Sequence, residues 1–217
     1  MKRRTLPAAT AFAATAALLL TACGGGDDSK TNGKIAGADT GDTAVPTSPS
    51  PSTTSSAQRP KITLPSDLDD VFEGWQTGNS TKDLLLADVQ GAQTATDYAI
   101  SKSSANESVL GFYYQGDALV TTAQWVKSFA DKGLTITGKI RYFDPQVTLS
   151  GSTSGSVRYC SDESKAFSKD RKTEKVNMTA VTDDSYVLYN VRVEKNKQGV
   201  WKTTNGLSDR GNSECTP

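Results

Sequence analysis

The sequence predicts an α+β domain in which three N-terminal helices pack on an antiparallel sheet of about five or six strands. Apolar residues recur at helical spacing in the first half of residues 66–217. In the second half they alternate with polar residues, as in strands with one buried face. The length of this region is enough for one hydrophobic core, so we expect a single domain.

The helical spacing predicts helices over residues 66–75, 80–102 and 117–133. Ser80 and Asp83 have the spacing of a capping box at the start of the second helix. Each predicted helix carries one apolar stripe, which favours packing against a flat surface such as a sheet.

The alternating pattern predicts the strands of the second half. Asp183-Asp184 and Asn196–Gly199 are expected to be hairpin turns that join the last three strands, because their residue types favour tight turns. The predicted strands cover residues 134–142, 147–149, 157–159, 176–178, 187–193 and 200–201.

Residues 1–22 have the features of a bacterial lipoprotein signal peptide. Basic residues at positions 2–4 precede an apolar run that is too short to span a bilayer, and the run ends in the lipobox Leu20-Thr21-Ala22-Cys23. We expect cleavage before Cys23, lipidation of its sulfur and anchoring on the outer face of the cell membrane. The alternative is an ordinary signal peptide that contains a cysteine.

Residues 23–65 are expected to be the lipidated cysteine and a disordered tether. Gly, Ser, Thr and Pro dominate this stretch, and no aromatic residue occurs within 24–60. Such a composition cannot bury enough apolar surface to offset the entropy lost on ordering. The Pro/Ser/Thr segment 46–56 is expected to be a stiffer spacer, with glycosylation of its hydroxyls as the alternative.

Several short strings resemble small lipoproteins of high-GC Gram-positive bacteria. They are Thr-Ile-Thr-Gly at 135–138, Val-Arg-Tyr-Cys at 157–160 and Gly-Val-Trp-Lys at 199–202, followed by a last cysteine near the terminus. Together with the lipobox, the tether and the order of elements, they make residues 66–217 similar to the nuclear-transport-factor-2-like, or SnoaL-like, cone domain. The resemblance implies a curved, cone-like sheet with a pocket at its mouth, which serves isomerases, dehydratases and cyclases but also proteins with no chemistry.

The composition excludes several functional classes. The 217 residues include no histidine, which rules out a Ser-His-Asp triad and imidazole-ligated zinc or haem. The 24 basic residues balance 24 acidic ones, whereas a nucleic-acid-binding protein usually carries a basic excess. We therefore expect no metal, no cofactor and no nucleic-acid partner.

Cys160 and Cys215 are expected to form a disulfide. They are the only thiols left once Cys23 is lipidated, and an exported domain lies where disulfides persist. A metal or redox pair is the alternative, but neither further soft ligands nor a CxxC spacing accompanies these cysteines.

The candidate pocket residues are large side chains at positions of the predicted strands and of the third helix that we expect to face the interior. Core filling is the alternative role for all of them. The set is Trp125, Tyr142, Tyr159, Met178, Tyr189 and Trp201.

Asp144, Asp162 and Glu163 are the best candidate acids for a Tyr/carboxylate acid–base site, the alternative being that they are turn residues at strand ends. A second charged feature is a basic run, Lys165 to Lys175, expected to be a solvated loop or a contact for anionic wall polymer or lipid headgroups.

Three functions remain open. The first is a non-catalytic lipoprotein that binds a small apolar ligand or an envelope protein, and the lack of histidine and of a catalytic motif favours it. The second is an isomerase or cyclase that uses Tyr and carboxylate groups. The third is a structural, wall-associated protein.

Overall fold

The computed structural model describes residues 57–217. The predicted signal peptide, Cys23 and most of the predicted tether lie outside these residues. Within them the helices are α1 (Ser80–Lys102), α2 (Ser108–Tyr113) and α3 (Gly116–Asp131). No helix in the described part of the chain is both long and apolar enough to cross a membrane.

The helix α1 agrees with the predicted bounds, but its cap lies one residue earlier. Asn79 is the N-cap, and its side chain accepts hydrogen bonds from the backbone N–H groups of Thr81 and Lys82. Asp83 instead accepts from the N–H and hydroxyl of Thr77, at 2.6 and 2.7 Å. Side-chain oxygens of Asn79 and Asp83 therefore fix the backbone conformation at the start of α1.

Six strands within residues 57–217 form one mixed, open sheet in the order β1-β2-β3-β5-β6, with β4 paired to β3. All pairs are antiparallel except β1 with β2. α1 and α3 each contact both β2 and β6, so the sheet curves around the helices, an α+β arrangement consistent with the expected cone. The strands are β1 (Leu68–Phe72), β2 (Leu134–Leu149), β3 (Ser154–Asp170), β4 (Val176–Asn177), β5 (Tyr186–Lys195) and β6 (Trp201–Arg210).

The predicted first helix is wrong, because residues 68–72 form β1. The spacing of Leu68, Phe72 and Trp75 fits a helix, but the edge of β2 offers unpaired backbone groups. Pairing with that edge gives the backbone groups of both strands their hydrogen-bond partners. On the other side of β2, Gly138, at φ 102°, allows the close pairing with β3, since a Cβ there would lie 2.1 Å from the carbonyl oxygen of Lys165.

One of the two predicted hairpins is confirmed. Asn196–Gly199 joins β5 to β6, and the Asn196 side chain accepts from the N–H groups of Gln198 and Val200. Asp183-Asp184 is not a hairpin turn but part of a 3-10 turn, Asp183–Ser185. It connects β4 and β5, which each pair with β3 rather than with each other.

The predicted strands 134–142 and 147–149 are two parts of β2, which bends between them. The register with β3 shifts between Phe143 and Gln146, and Asp144 has φ 51°. Irregularities of this kind kink a strand and increase its twist. The bend contributes to the curvature of the sheet.

The core has two parts. Leu85, Leu86 and Val89 of α1 pack with Trp201 and other sheet residues, and Trp201 is fully buried, as its strand phase predicts. Small α1 residues such as Ala92 pack with α2 and α3 in a second cluster. The sheet and all three helices are therefore joined through α1.

The described segment ahead of residue 66 also packs on the domain. The Arg59 guanidinium donates to both carboxylate oxygens of Asp88, at 2.6 and 2.8 Å. Asp88 is fully buried on α1 and also accepts the backbone N–H of Trp201, at 2.9 Å. Ile62 packs against the second core cluster.

Cys160 and Cys215 form a disulfide with a Cα–Cα distance of 5.5 Å, as predicted. Both cysteines are buried. Their bond ties the C-terminal tail to the centre of β3.

Only part of the basic run is a solvated loop: β3 extends to Asp170 and includes Lys165 and Lys169, whereas Lys172 and Lys175 are exposed in the turn that follows. Lys169 pairs with Asp67 at 2.7 Å and with Glu174 at 2.9 Å. Arg171 donates to the backbone carbonyls of Leu134, Ser101 and Ile100. Its guanidinium thus satisfies carbonyls at the C-terminal end of α1 and at the start of β2.

Candidate functional site

A cavity of about 620 Å³ lies between the curved sheet and the helices α1 and α3. Its walls are mostly apolar and aromatic, and it opens to solvent on one side. Helix α1 contributes Gln93, Thr96 and Asp97, α3 contributes Trp125, and the sheet contributes Tyr142, Glu163 and Tyr189. We call this space the main cavity.

Asp97 and Tyr142 form a buried polar pair in the wall of the main cavity. Asp97 is only 6% exposed and Tyr142 is buried as well. The Tyr142 hydroxyl donates to Oδ2 of Asp97 across 3.4 Å. Burial, reinforced by the neighbouring Asp70 carboxyl, raises the pKa of Asp97 well above its ordinary value. Burial therefore favours the protonated, neutral form of the Asp97 carboxyl.

Asp70 on β1 lies behind Asp97. Both Asp70 carboxyl oxygens are buried and have no partner at hydrogen-bond geometry among the described residues. Asp97 and Thr94 are nevertheless close enough to interact with it, and we take Asp97 to donate its proton towards Asp70. Burial raises the pKa of Asp70 to about 6, and the neighbouring groups partly oppose this shift. Burial is thus the main cause of the raised pKa of both carboxyls.

A second polar group lies on the sheet wall of the main cavity. Glu163 on β3 accepts from the Tyr189 hydroxyl at 3.5 Å and from the Arg210 guanidinium at 2.8 Å. Arg210 also donates to the backbone carbonyl of Asp184 at 2.6 Å. Burial, and then the charge of Glu163, raise the pKa of Tyr189, so this phenol stays neutral.

A third polar group lies where α1 faces α2 and α3. The hydroxyls of Thr96 and Tyr114 are 2.9 Å apart, and each is 3.0 Å from the carbonyl oxygen of Ala92. Burial raises the pKa of Tyr114 to about 12. These hydroxyl hydrogens are therefore used within the protein.

The rim of the main cavity is apolar and exposed. Trp125 is 55% exposed and its ring meets that of Phe129 edge to face at 5.1 Å. Leu207 on β6, also at the rim, is 70% exposed. Large apolar side chains at the mouth of a cavity are typical of an entry for an apolar molecule.

Of the six predicted pocket residues, three lie at the main cavity and three do not. Tyr142 and Tyr189 line the main cavity, and Trp125 lies at its rim rather than facing inward. Tyr159 and Trp201 are buried in the core beside it and do not line it.

Met178 does not lie on an inward-facing strand phase. It is 73% exposed, because β4 ends at Asn177.

Of the three predicted acids only Glu163 lines the main cavity. Asp144 is exposed at the bend of β2, and Asp162 points to the other face of β3, where it pairs with Arg141 at 3.4 Å. Neighbouring residues on a strand face opposite sides, so only one of positions 162 and 163 can face the cavity.

Asp70 and Asp97 are the functional candidates that sequence reasoning missed. Asp97 follows Gln93 by one helical turn, so the helical period alone could have placed it on the buried face of α1. Asp70 shares a strand face with Leu68 and Phe72, but the assignment of a helix to this segment concealed that alternation. Among the described residues there is no group of three or more acidic, cysteine or histidine side chains that could hold a metal ion.

Comparisons with known proteins give only remote likenesses. No family model matches the chain, and no curated protein matches it. The intermembrane space region of the chloroplast protein ARC6 is 15% identical, with a TM-score of 0.40, over 57% of this chain and 92% of that one. A ketosteroid isomerase-like protein from Erwinia carotovora atroseptica SCRI1043 is 16% identical, with a TM-score of 0.38, over 58% and 93%.

A third solved structure, a candidate ketosteroid isomerase from Shewanella frigidimarina NCIMB 400, is 15% identical, with a TM-score of 0.33, over 64% of this chain and 99% of that one. At these identities and TM-scores, the function has to be inferred from the cavity's own residues.

Proposed function

We propose that the protein is a membrane-anchored, extracytoplasmic lipoprotein that binds a small, largely apolar molecule in the main cavity. The observation that carries the proposal is the cavity itself, which at about 620 Å³ falls in the size range of small-molecule sites. Its apolar walls offer contact area, and the few polar groups at Asp97, Tyr142 and Glu163 would fix the orientation of the ligand.

The proposed location is supported by the lipobox at Cys23 and by the disulfide, since disulfides persist outside the cytoplasm. Cys23→Ala should shift the full chain from the detergent phase to the aqueous phase in a detergent partition of whole cells. A variant that still partitions with membranes after a salt wash would contradict the anchor.

The binding proposal is tested with neighbouring residues on opposite faces of β3. Ala166 lines the main cavity, whereas Lys165 is exposed on the other face. Ala166→Trp should fill the cavity and Lys165→Trp should not. Mass spectrometry of organic extracts should find a co-purifying molecule with the wild type and Lys165→Trp, and none with Ala166→Trp. Equal retention by both variants would place the binding site elsewhere.

An isomerase-type activity is a second candidate, which the Asp70, Asp97 and Tyr142 arrangement supports. Asp97, a cavity-lining carboxyl whose pKa burial raises, could exchange a proton with a bound ketone, and the Tyr142 hydroxyl beside it would position that carboxyl. Deuterium exchange at the carbon next to a ketone would reveal this activity. It should be lost in Asp97→Asn and Tyr142→Phe, and a rate equal to that of protein-free buffer for the wild type would contradict it.

A further inference from the structure

Four hydroxyls on the wall of the main cavity, those of Thr96, Tyr114, Tyr142 and Tyr189, already have acceptors within the protein. Tyr142 donates to Asp97, and Tyr189 donates to Glu163. The Thr96 and Tyr114 hydroxyls share the Ala92 carbonyl and each other. A hydroxyl has a single hydrogen to donate, so these groups offer a ligand little donor capacity.

The acceptors on the same wall are less fully used. A carboxyl group has two oxygens with about four lone-pair positions. Asp97 receives one bond, from Tyr142, and Glu163 receives bonds from Ser161, Tyr189 and Arg210. Around Asp97 and Glu163 the wall therefore has unused acceptor positions, which suits a ligand that brings its own N–H or O–H groups.

The charges and rings favour a cation among such ligands. Asp97, Glu163 and Arg210 are the ionisable carboxyl and guanidinium groups of the lining. Arg210 is already engaged by Glu163 and by a backbone carbonyl, so it offers little to an anion. The rings of Tyr142 and Tyr189 lie on the same wall, and aromatic faces attract ammonium groups.

We infer that the ligand of the main cavity is an apolar molecule that carries an amine, with its ammonium group held between Asp97 and Glu163 and its apolar part directed towards the Trp125 rim. This inference rests on the proposed binding function and adds the chemical class of the ligand. The ammonium supplies donors for the unused acceptor positions of both carboxyls, and its charge favours the ionised form of Asp97, against the effect of burial.

The test uses three probes with the same apolar chain, namely octylamine, octanol and octanoate, in calorimetric titrations of the mature chain at neutral pH. Octylamine should bind about ten-fold tighter than octanol, which corresponds to about 1.4 kcal/mol, because a charge-assisted hydrogen bond is stronger than a neutral one. Octanoate should bind most weakly.

The variants identify the carboxyls that recognise the amine. Asp97→Asn and Glu163→Gln should each reduce the octylamine-to-octanol affinity ratio to about one-third of its wild-type value, or less. Asp162→Asn is the matched control, because Asp162 neighbours Glu163 but does not line the cavity. It should keep the wild-type ratio.

The outcomes separate the inference from the proposed function. Equal binding of octylamine and octanol would overturn the amine preference and leave the binding function intact. Tightest binding of octanoate would overturn it in favour of recognition by Arg210. Binding of no probe would refute both the amine preference and the binding function for ligands of this size. An unchanged affinity ratio in both Asp97→Asn and Glu163→Gln would also overturn the assignment.

Discussion

The Arg59–Asp88 ion pair makes the segment ahead of residue 66 a measurable part of the folded domain. Removing the guanidinium by Arg59→Ala leaves the fully buried Asp88 carboxylate with the Trp201 N–H as its remaining donor among the described residues. Removing one partner of a buried pair costs about 3–5 kcal/mol. Because the Arg59 side chain is 26% exposed, solvent screens part of that cost, and we expect a loss of about 2–4 kcal/mol.

A second substitution shows whether the uncompensated charge causes this loss. Asp88→Asn removes the charge but keeps a side-chain oxygen for the Trp201 N–H. The double variant Arg59→Ala/Asp88→Asn should therefore be more stable than Arg59→Ala alone, by at least about 1 kcal/mol.

Urea unfolding of the chain from residue 57 onwards measures the effect, as a lower midpoint with an unchanged slope. Lys61→Ala, at an exposed position two residues further on, is the control and should stay within about 0.5 kcal/mol of the wild type. If Arg59→Ala also stays within that range, or if Asp88→Asn does not recover stability, the ion pair does not hold this segment to the domain.

Three further predictions concern the core, the carboxyl pair and the disulfide. Trp201→Ala should destabilise the domain by about 3–5 kcal/mol, because it empties a fully buried site, and an unchanged melting midpoint would refute the packing of β6 on α1. The folded-state pKa of Asp70, about 6, lies above the ordinary value of about 3.9, so ionisation of this carboxyl destabilises the folded domain. The stability that the neutral carboxyl preserves is fully present below about pH 4 and is lost as the pH rises through about 6. Asp70→Asn should therefore be about 2–3 kcal/mol more stable than the wild type at pH 7.5 and similar to it near pH 4, and urea midpoints that differ equally at the two pH values would contradict this. Thiol titration of the denatured, unreduced domain should find no free thiol, because Cys160 and Cys215 are bonded to each other, and two thiols per chain would show that they are not.

Elements with a clear local signal could be predicted from the sequence. The bounds of α1 match because the apolar period and the terminal residues agree. The pairing of Cys160 with Cys215 follows from counting thiols and from the expected compartment. Trp201 is inside because the strand alternation allows only one phase for so large a ring.

Features that depend on partners distant in sequence could not be predicted in this way. Residues 68–72 have an apolar spacing that fits a helix, and only the free edge of β2 makes them a strand. That misassignment also concealed Asp70. Asp97 and Asp88 are charged residues on a buried helix face, which a hydrophobic pattern does not reveal, because their partners lie on other elements.

The central claim is that the main cavity binds a small apolar molecule. Nuclear Overhauser effects between isotope-labelled protein and unlabelled octylamine locate a bound molecule directly. We expect contacts from the alkyl chain to the ring protons of Tyr142, Tyr189 and Trp125, which line the cavity or its rim. Contacts confined to exposed apolar residues outside the cavity, such as Met178 and Val181, or no contacts at saturating ligand, would contradict the account.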